Sequence, residues 1–279
     1  MKNILIPTDF SDNSWNAIEY ALNFYKNIPC NFYLLNVSLI SNYPVGDSAI
    51  ILSNTLVENK LLQQSKTALK TLVKKIKKSF SNTNHNFYKI YKYDFFIDAI
   101  RSVIEDKKIE LIIMGTKGAS GLSEVIVGSN TGDLITQVHC PVLIIPENAV
   151  FKTPKEIAFP TDYNIYYQTK VLKTISEFTK LYDSAIRILH ITKKNEHLTD
   201  FQLDNKEFLN DYFLDEKHSF HRLTNNKIEN GIQCFVESRD TNLIIMVAKN
   251  LNLFQRILFK PTVEEISYHV EIPFLVLHE

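Results

Sequence analysis

Short apolar runs alternate with longer amphipathic segments along the first half of the chain. The runs consist mainly of apolar and β-branched residues, which is typical of strands buried on both faces of a parallel sheet. They lie at residues 3–7, 32–37, 87–91, 111–115 and 142–145. The segments between them repeat apolar residues at helical spacing; in the first segment these are Trp15, Ile18, Ala21, Leu22 and Tyr25. The pattern therefore predicts an α/β fold, with a doubly wound parallel sheet and helices on both faces.

The second half of the chain repeats the first. Pro160-Thr161-Asp162 matches Pro7-Thr8-Asp9, and in both copies the motif ends the first apolar run. A second set of strands is predicted at 156–160, 185–191, 219–223, 243–247 and 274–277. We therefore expect two tandem domains, 1–147 and 154–279, each with a five-stranded sheet.

The most specific chemical signal lies between the fourth strand and the following helix, which is predicted over 130–138. Gly115, Gly118 and Gly128 are spaced along this stretch, and Ser129 follows the last glycine. Glycine lets the backbone approach an anion closely, and a helix N-terminus favours negative charge. The stretch therefore predicts a cradle for a nucleotide phosphate. Its spacing matches neither a dinucleotide fingerprint nor a P-loop. The alternative is a loop merely shaped by its glycines, with Ser129 as an ordinary N-cap.

The second copy lacks these residues. At an offset of 132, the four positions of the cradle are occupied by Val247, Asn250, Lys260 and Pro261. A proline has no N–H to offer a phosphate, and a lysine side chain fills space that a glycine leaves empty. We therefore expect the second domain to be degenerate as a nucleotide site.

Composition narrows the class of protein. The 31 Lys and Arg balance the 31 Asp and Glu, so no basic field indicates nucleic acid or an acidic membrane as a partner. A strand that begins at residue 3 leaves no room for a signal peptide, and no apolar run is long enough to span a bilayer, so we expect a cytoplasmic protein.

Three cysteines without a Cys-x-x-Cys motif argue against structural disulfides. The pair His218 and His221 has no further ligand nearby in the sequence, so we expect no metal site.

At these motifs the chain resembles the universal stress protein family. The resemblance rests on the glycine pattern, on the opening that ends in Pro7-Thr8-Asp9, and on the closing run 140–146. Family members that bind ATP place an Asp after the first strand against the adenosine, backbone after the second strand against the base, and the glycine loop around ribose and phosphates. The resemblance therefore implies a site for ATP or a related adenine nucleotide, with or without Mg²⁺. Its residues would be Asp9, Val37, Gly115, Gly118, Gly128, Ser129 and Asn130.

The resemblance also implies an architecture and a role. Family members pair through their last strands, and here 142–145 and 274–277 could pair within one chain as an intramolecular pseudo-dimer with pseudo-twofold symmetry. A further homodimer is left open. The expected role is a stress-response regulator, in which nucleotide occupancy orders the loop 38–52 and the glycine loop for an unknown protein partner.

Two other classes of function stay open. An ATPase would need a group that orients water and charge at the γ-phosphate, for which Asp47, Glu124 and Lys117 are the candidates. We interpret these three as exposed loop residues and expect no enzymatic activity. The other class is a structural or interaction module that binds no nucleotide.

Overall fold

The computed structural model describes residues 1–38, 48–116, 129–248 and 271–278, and the side chains of all of these except 48–55. Within these ranges the chain divides into two compact units. The first comprises residues 1–38, 48–116 and 129–140, and the second comprises residues 141–248 and 271–278. Each contains strands and helices in alternation, as the hydrophobic pattern predicts.

The first unit is a parallel sheet in which the strand order is β3-β2-β1-β4. Its core consists of strand residues such as Ile4, Ile6 and Ile112, which are completely buried. Its elements are β1 (Lys2–Pro7), α1 (Asp12–Phe24), β2 (Cys30–Ser38), α2 (Ser48–Ser79), β3 (His85–Tyr93), α3 (Phe96–Lys107), β4 (Leu111–Gly115) and α4 (Ser129–Gln137).

The second unit has the strand order β5-β10-β9-β6-β7-β8. All its neighbouring strands run parallel except β5 and β10. Its elements are β5 (Val142–Ile145), β6 (Glu156–Pro160), α5 (Thr169–Tyr182), β7 (Ala185–Thr192), α6 (Asp200–Tyr212), β8 (His218–Thr224), α7 (Ile228–Ser238), β9 (Leu243–Val247) and β10 (Phe274–Leu277).

The antiparallel pair joins the two strands that were expected to meet. Phe274 lies opposite Ile144, and Val276 lies opposite Val142. The four residues of each strand are fully buried, so the pairing removes both backbone edges and apolar side chains from water. Because of this pairing β5 belongs to the second compact unit, although in sequence it closes the first repeat.

The same turn follows the first strand of each repeat. Thr8 Oγ1 accepts a hydrogen bond from the Phe10 N–H at 3.1 Å, and Thr161 Oγ1 accepts one from the Tyr163 N–H at 3.0 Å. Phe10 and Tyr163 both have a positive φ, 65° and 58°, which non-glycine residues seldom adopt. The repeat seen in the sequence is therefore also a repeat of backbone geometry.

All ten predicted strands are present, each with bounds that agree within two residues. This confirms the α/β fold with tandem, mostly parallel sheets. The expectation of a loop over 38–52 was wrong in part, because residues 48–52 belong to the first turns of α2. Among the described residues, no helix is both long and apolar enough to cross a membrane.

Candidate functional site

A cleft opens in the first unit where β1, β2 and β4 end. Its empty space, including open solvent at the mouth, is about 680 Å³. The carboxyl edge of a parallel sheet is where such folds bind ligands. The lining residues are Pro7, Thr8, Asp9, Ser14, Leu35, Asn36, Val37, Phe96, Met114, Gly115, Ser129, Asn130 and Thr131.

Asp9 lies at the mouth of the cleft in the turn between β1 and α1. Its Oδ1 accepts hydrogen bonds from the Ser11 N–H at 3.1 Å and from the Ser11 hydroxyl at 2.6 Å. Ser11 is itself the N-cap of α1, because its side chain accepts from the Ser14 N–H. The carboxylate is thus exposed but held in one orientation by the start of a helix.

The floor between β1 and β2 is tied together by a side-chain amide. Asn36 donates from Nδ2 to the carbonyl oxygen of Thr8 at 2.8 Å, and its Oδ1 accepts from the Ser65 hydroxyl at 2.6 Å. The Thr8 N–H donates to the carbonyl oxygen of Leu35 at 2.8 Å. These bonds fix the neighbouring backbone of Val37 at the end of β2.

Gly115 ends β4 in close contact with α1. A Cβ atom there would lie 2.8 Å from Oδ1 and 3.1 Å from the backbone oxygen of Asn13. The glycine is therefore required by close packing against the start of α1. Its carbonyl oxygen accepts a hydrogen bond from the Thr131 hydroxyl at 3.1 Å, which binds the first turn of α4 to the end of β4.

The structure brings five of the seven predicted site residues to this cleft. Asp9, Val37 and Gly115 lie at the ends of three adjacent strands, and Ser129 and Asn130 begin α4. Gly118 and Gly128 lie outside the described residues, as do Asp47, Lys117 and Glu124.

Four of the lining residues that sequence reasoning did not assign to the site, all of them polar or aromatic, carried different signals. Thr131 directly follows the predicted Asn130 and Ser14 lies three residues after Ser11, so their places in the first turns of α4 and α1 could have been noticed. Asn36 precedes the predicted Val37, but its bond to Thr8 is a tertiary contact. Phe96 has no such signal, because it is distant in sequence from every other lining residue.

At the corresponding edge of the second unit, the described residues pack large side chains against one another. Tyr163 is buried and its ring packs against His190, with ring centroids 5.1 Å apart. Tyr167 lies beside it with its hydroxyl hydrogen-bonded to Thr161 Oγ1. Burial raises the pKa of both tyrosines well above the ordinary value. Val247, in the position of Gly115, is also buried. Large side chains thus occupy the edge that is open in the first unit.

His190 takes over the structural role of Asn36. Its Nδ1 lies 3.0 Å from the carbonyl oxygen of Thr161, as Asn36 Nδ2 lies 2.8 Å from that of Thr8. Gln202 of α6 then donates to the carbonyl oxygen of Asp162 at 2.7 Å. The turn after β6 is therefore held by hydrogen bonds with both β7 and α6.

The described residues contain no group of His, Cys, Asp and Glu side chains that could hold a metal ion. His218 bonds to Asn210, whereas His221 bonds to Ser219, and residues three apart on a strand point to opposite faces.

Burial raises the pKa of the Cys30 thiol to about 11, so this thiol stays protonated near neutral pH.

An open parallel sheet with a cleft at its carboxyl edge and a helix N-terminus beside it defines a class: the doubly wound α/β proteins that bind small ligands at this edge. Within that class the chain belongs to the universal stress protein family, a family of stress-response proteins, whose model matches residues 1–146. Universal stress protein MJ0531 of Methanocaldococcus jannaschii is 32% identical over 147 residues, which cover 52% of this chain and 81% of that protein. Universal stress protein MJ0577 of the same organism is 27% identical over 152 residues, which cover 52% of this chain and 94% of that protein.

The fold likeness extends over both repeats. The crystal structure of a universal stress protein from Archaeoglobus fulgidus covers 99% of this chain, which in turn covers 98% of that one, with a TM-score of 0.68 and 16% identity. A protein of unknown function from Pseudomonas aeruginosa covers 100% of this chain, and 92% of its own length is matched, with a TM-score of 0.59 and 14% identity. At these identities the likeness concerns the fold alone.

Proposed function

We propose that the first domain, residues 1–147, binds ATP or a related adenine nucleotide, and that the protein acts as a nucleotide-dependent regulator in the stress response. The observation that carries the proposal is the order of chemical groups along the cleft. Aromatic and apolar side chains lie at one end, a carboxylate lies in the middle, and a helix N-terminus lies at the other end.

The strand order gives this arrangement its direction. Phe96 follows β3, Val37 is the last residue but one of β2, Asp9 follows β1 and Gly115 ends β4. These strands are neighbours in the order β3-β2-β1-β4. Three strand spacings amount to about 14 Å. That length suits an extended nucleoside polyphosphate lying across the strand ends.

Each end of the cleft suits one part of such a ligand. Phe96 and Val37 offer an apolar surface for a flat base. At the other end, the N–H groups in the first turn of α4 have no acceptor within the helix, and they begin at Ser129 and Asn130. Together with the helix dipole they favour phosphate oxygens. The sequence pattern assigns Gly118 and Gly128 to the same set of phosphate contacts.

Asp9 is assigned to the nucleoside. It is the carboxylate among the described lining residues, and a carboxylate accepts hydrogen bonds from ribose hydroxyls or a base amino group. Mg²⁺, if bound, would be held chiefly by the phosphates themselves, which is the usual mode for this ion.

The second domain, residues 154–279, is assigned a structural role. Tyr163, Tyr167 and Val247 are buried at the edge that corresponds to the open one in the first domain, which supports this assignment. We therefore expect one nucleotide per chain, and a regulatory output through a protein partner that reads the occupied first domain.

The proposal is tested by calorimetric titration of the full chain with ATP, together with mass spectrometry of small molecules released from freshly purified protein. We expect a binding isotherm and an increase in melting temperature, because a ligand present at 100 times its Kd stabilises the native state by about 2.7 kcal/mol. Absence of both heat and thermal shift at millimolar ATP, with no nucleotide released, would refute the proposal and favour a purely structural module.

A further inference from the structure

We propose that Phe96 is a specificity-determining residue, whose ring stacks on the base and favours a purine over a pyrimidine. This inference rests on the proposed nucleotide site. It concerns a side chain that belongs to none of the motifs found in the sequence.

Phe96 is a half-buried aromatic residue in the wall of an otherwise mixed cleft. Its neighbour Phe95 is 48% exposed and does not line the cleft. A phenylalanine ring has no hydrogen-bonding group, so its contribution to a binding site is a flat apolar face. Stacking on such a face is stronger for a larger ring system, because more apolar surface leaves water.

The backbone around Phe96 is fixed by local hydrogen bonds. The Asp94 N–H donates to the carbonyl oxygen of Ser38 at 3.1 Å, which ties the end of β3 to the end of β2. Asp94 Oδ1 accepts from the Phe95 N–H at 2.8 Å, and the carbonyl oxygen of Phe95 accepts from the Ala99 N–H at 3.0 Å. Phe96 is therefore the first residue of a helix whose start is tied to β2, the strand that carries Val37.

The second repeat keeps the backbone bond but lacks the ring. The Asn225 N–H donates to the carbonyl oxygen of Thr192 at 3.0 Å, as Asp94 does to Ser38. The first residue of the equivalent helix α7 is Ile228. The aromatic residue is thus present in the repeat that has an open cleft and absent from the repeat whose edge is filled.

The test compares ATP, UTP and inorganic triphosphate by calorimetry on the full chain. The variants are Phe96→Leu and Phe96→Met, which remove the ring, and Phe96→Tyr, which keeps it. Phe95→Leu is the matched control, since it removes an adjacent ring outside the cleft. We expect the wild type to bind ATP more tightly than UTP. Loss of the ring should weaken ATP binding about tenfold, weaken UTP binding less, and leave triphosphate binding unchanged.

The outcomes separate this inference from the proposed function. If the wild type binds ATP and both ring-deleted variants match it within about twofold, the role of Phe96 is refuted while the nucleotide site stands. An equal loss in Phe95→Leu would also refute it, because the effect would not be specific to the cleft. If the wild type binds neither nucleotide, the proposed function fails and this inference fails with it. Melting curves of each variant establish that it is folded, and the methionine variant serves if the leucine variant is not.

Discussion

The hydroxyl group of Tyr167 hydrogen-bonds to Oγ1 of Thr161 at 2.5 Å, at the place where Ser14 Oγ lies 3.0 Å from Thr8 Oγ1 in the first repeat. The bond to the threonine is kept, but its partner changes from a small hydroxyl to a buried phenol ring. Tyr167 in the place of Ser14 therefore keeps the bond to the turn while it adds a large ring to the edge of the sheet. This relationship supports an asymmetric pair of domains.

The first prediction follows from that asymmetry. Calorimetry should give one ATP per chain, because Tyr163 and Tyr167 occupy the second edge and removing them from the core would expose large apolar rings. Two equivalent sites per chain would contradict the structural role assigned to the second domain.

The second prediction concerns the close approach at the end of β4. Gly115→Ala should destabilise the protein by about 1 to 3 kcal/mol, because the new methyl group meets the backbone oxygen as well as the side chain of Asn13. It should also weaken ATP binding by displacing the cleft wall. Denaturant unfolding and calorimetry measure the two effects.

Gly231→Ala in α7 is the control for that variant. The three atoms nearest its Cβ would belong to the side chain of Ile191, whose end can shift, and alanine favours a helix by about 1 kcal/mol over glycine. We expect it to be close to neutral for stability. A Gly115→Ala protein as stable as the wild type would contradict this prediction, because it would show that the start of α1 can shift at no cost in stability.

The third prediction concerns Asp9. Asp9→Asn keeps an acceptor for Ser11 but removes the charge, and loss of a charge-assisted hydrogen bond to the nucleoside should weaken ATP binding by about 1.5 to 3 kcal/mol. Asp12→Asn, in the first turn of α1, makes the same change of net charge outside the cleft lining and should bind as the wild type does. Tighter binding by Asp9→Asn would instead indicate that the carboxylate repels the phosphates.

The fourth prediction concerns stability in acid. Glu156 accepts two hydrogen bonds of 2.6 Å from Arg187, and these lower the pKa of its carboxyl group below the ordinary 4.5. A carboxyl group with a depressed folded pKa stabilises the fold fully above pH 4.5, and this stabilisation is lost as pH falls through the folded value. Glu156→Gln should therefore reduce the free energy of unfolding at neutral pH by about 1 to 3 kcal/mol. As pH falls, the free energy of unfolding should then decrease less in the variant than in the wild type.

The exposed pair Lys217 and Asp183 provides the comparison. Both side chains are mostly in water, so Asp183→Asn should change stability by less than about 0.5 kcal/mol. Asparagine also tolerates the left-handed backbone at this helix end, where φ is 53°. Equal effects of the two substitutions across the pH range would contradict a special role for the half-buried pair.

The sequence determined by itself the order of the elements and the repeat, and the family resemblance indicated which strands pair at the end of each copy. Hydrophobic periodicity is a local property, and strands such as Leu111–Gly115 and Leu243–Val247 are apolar on both faces because they are buried on both faces. The Pro-Thr-Asp turn could be recognised twice because its hydrogen bonds join residues two apart. The site residues near strand ends followed from the same local order and from the family resemblance.

The tertiary structure alone decided what occupies each carboxyl edge. Phe96 reaches the first cleft because α3 follows β3, which lies beside β2. The hydrophobic pattern does not predict which strands are neighbours. Tyr167 and His190 were not predicted to fill the second edge, since their contacts with Thr161 and Tyr163 depend on how the chain folds back on itself. Periodicity reports which face of an element is buried, whereas an open or filled cleft depends on the sizes of side chains that meet from distant parts of the chain.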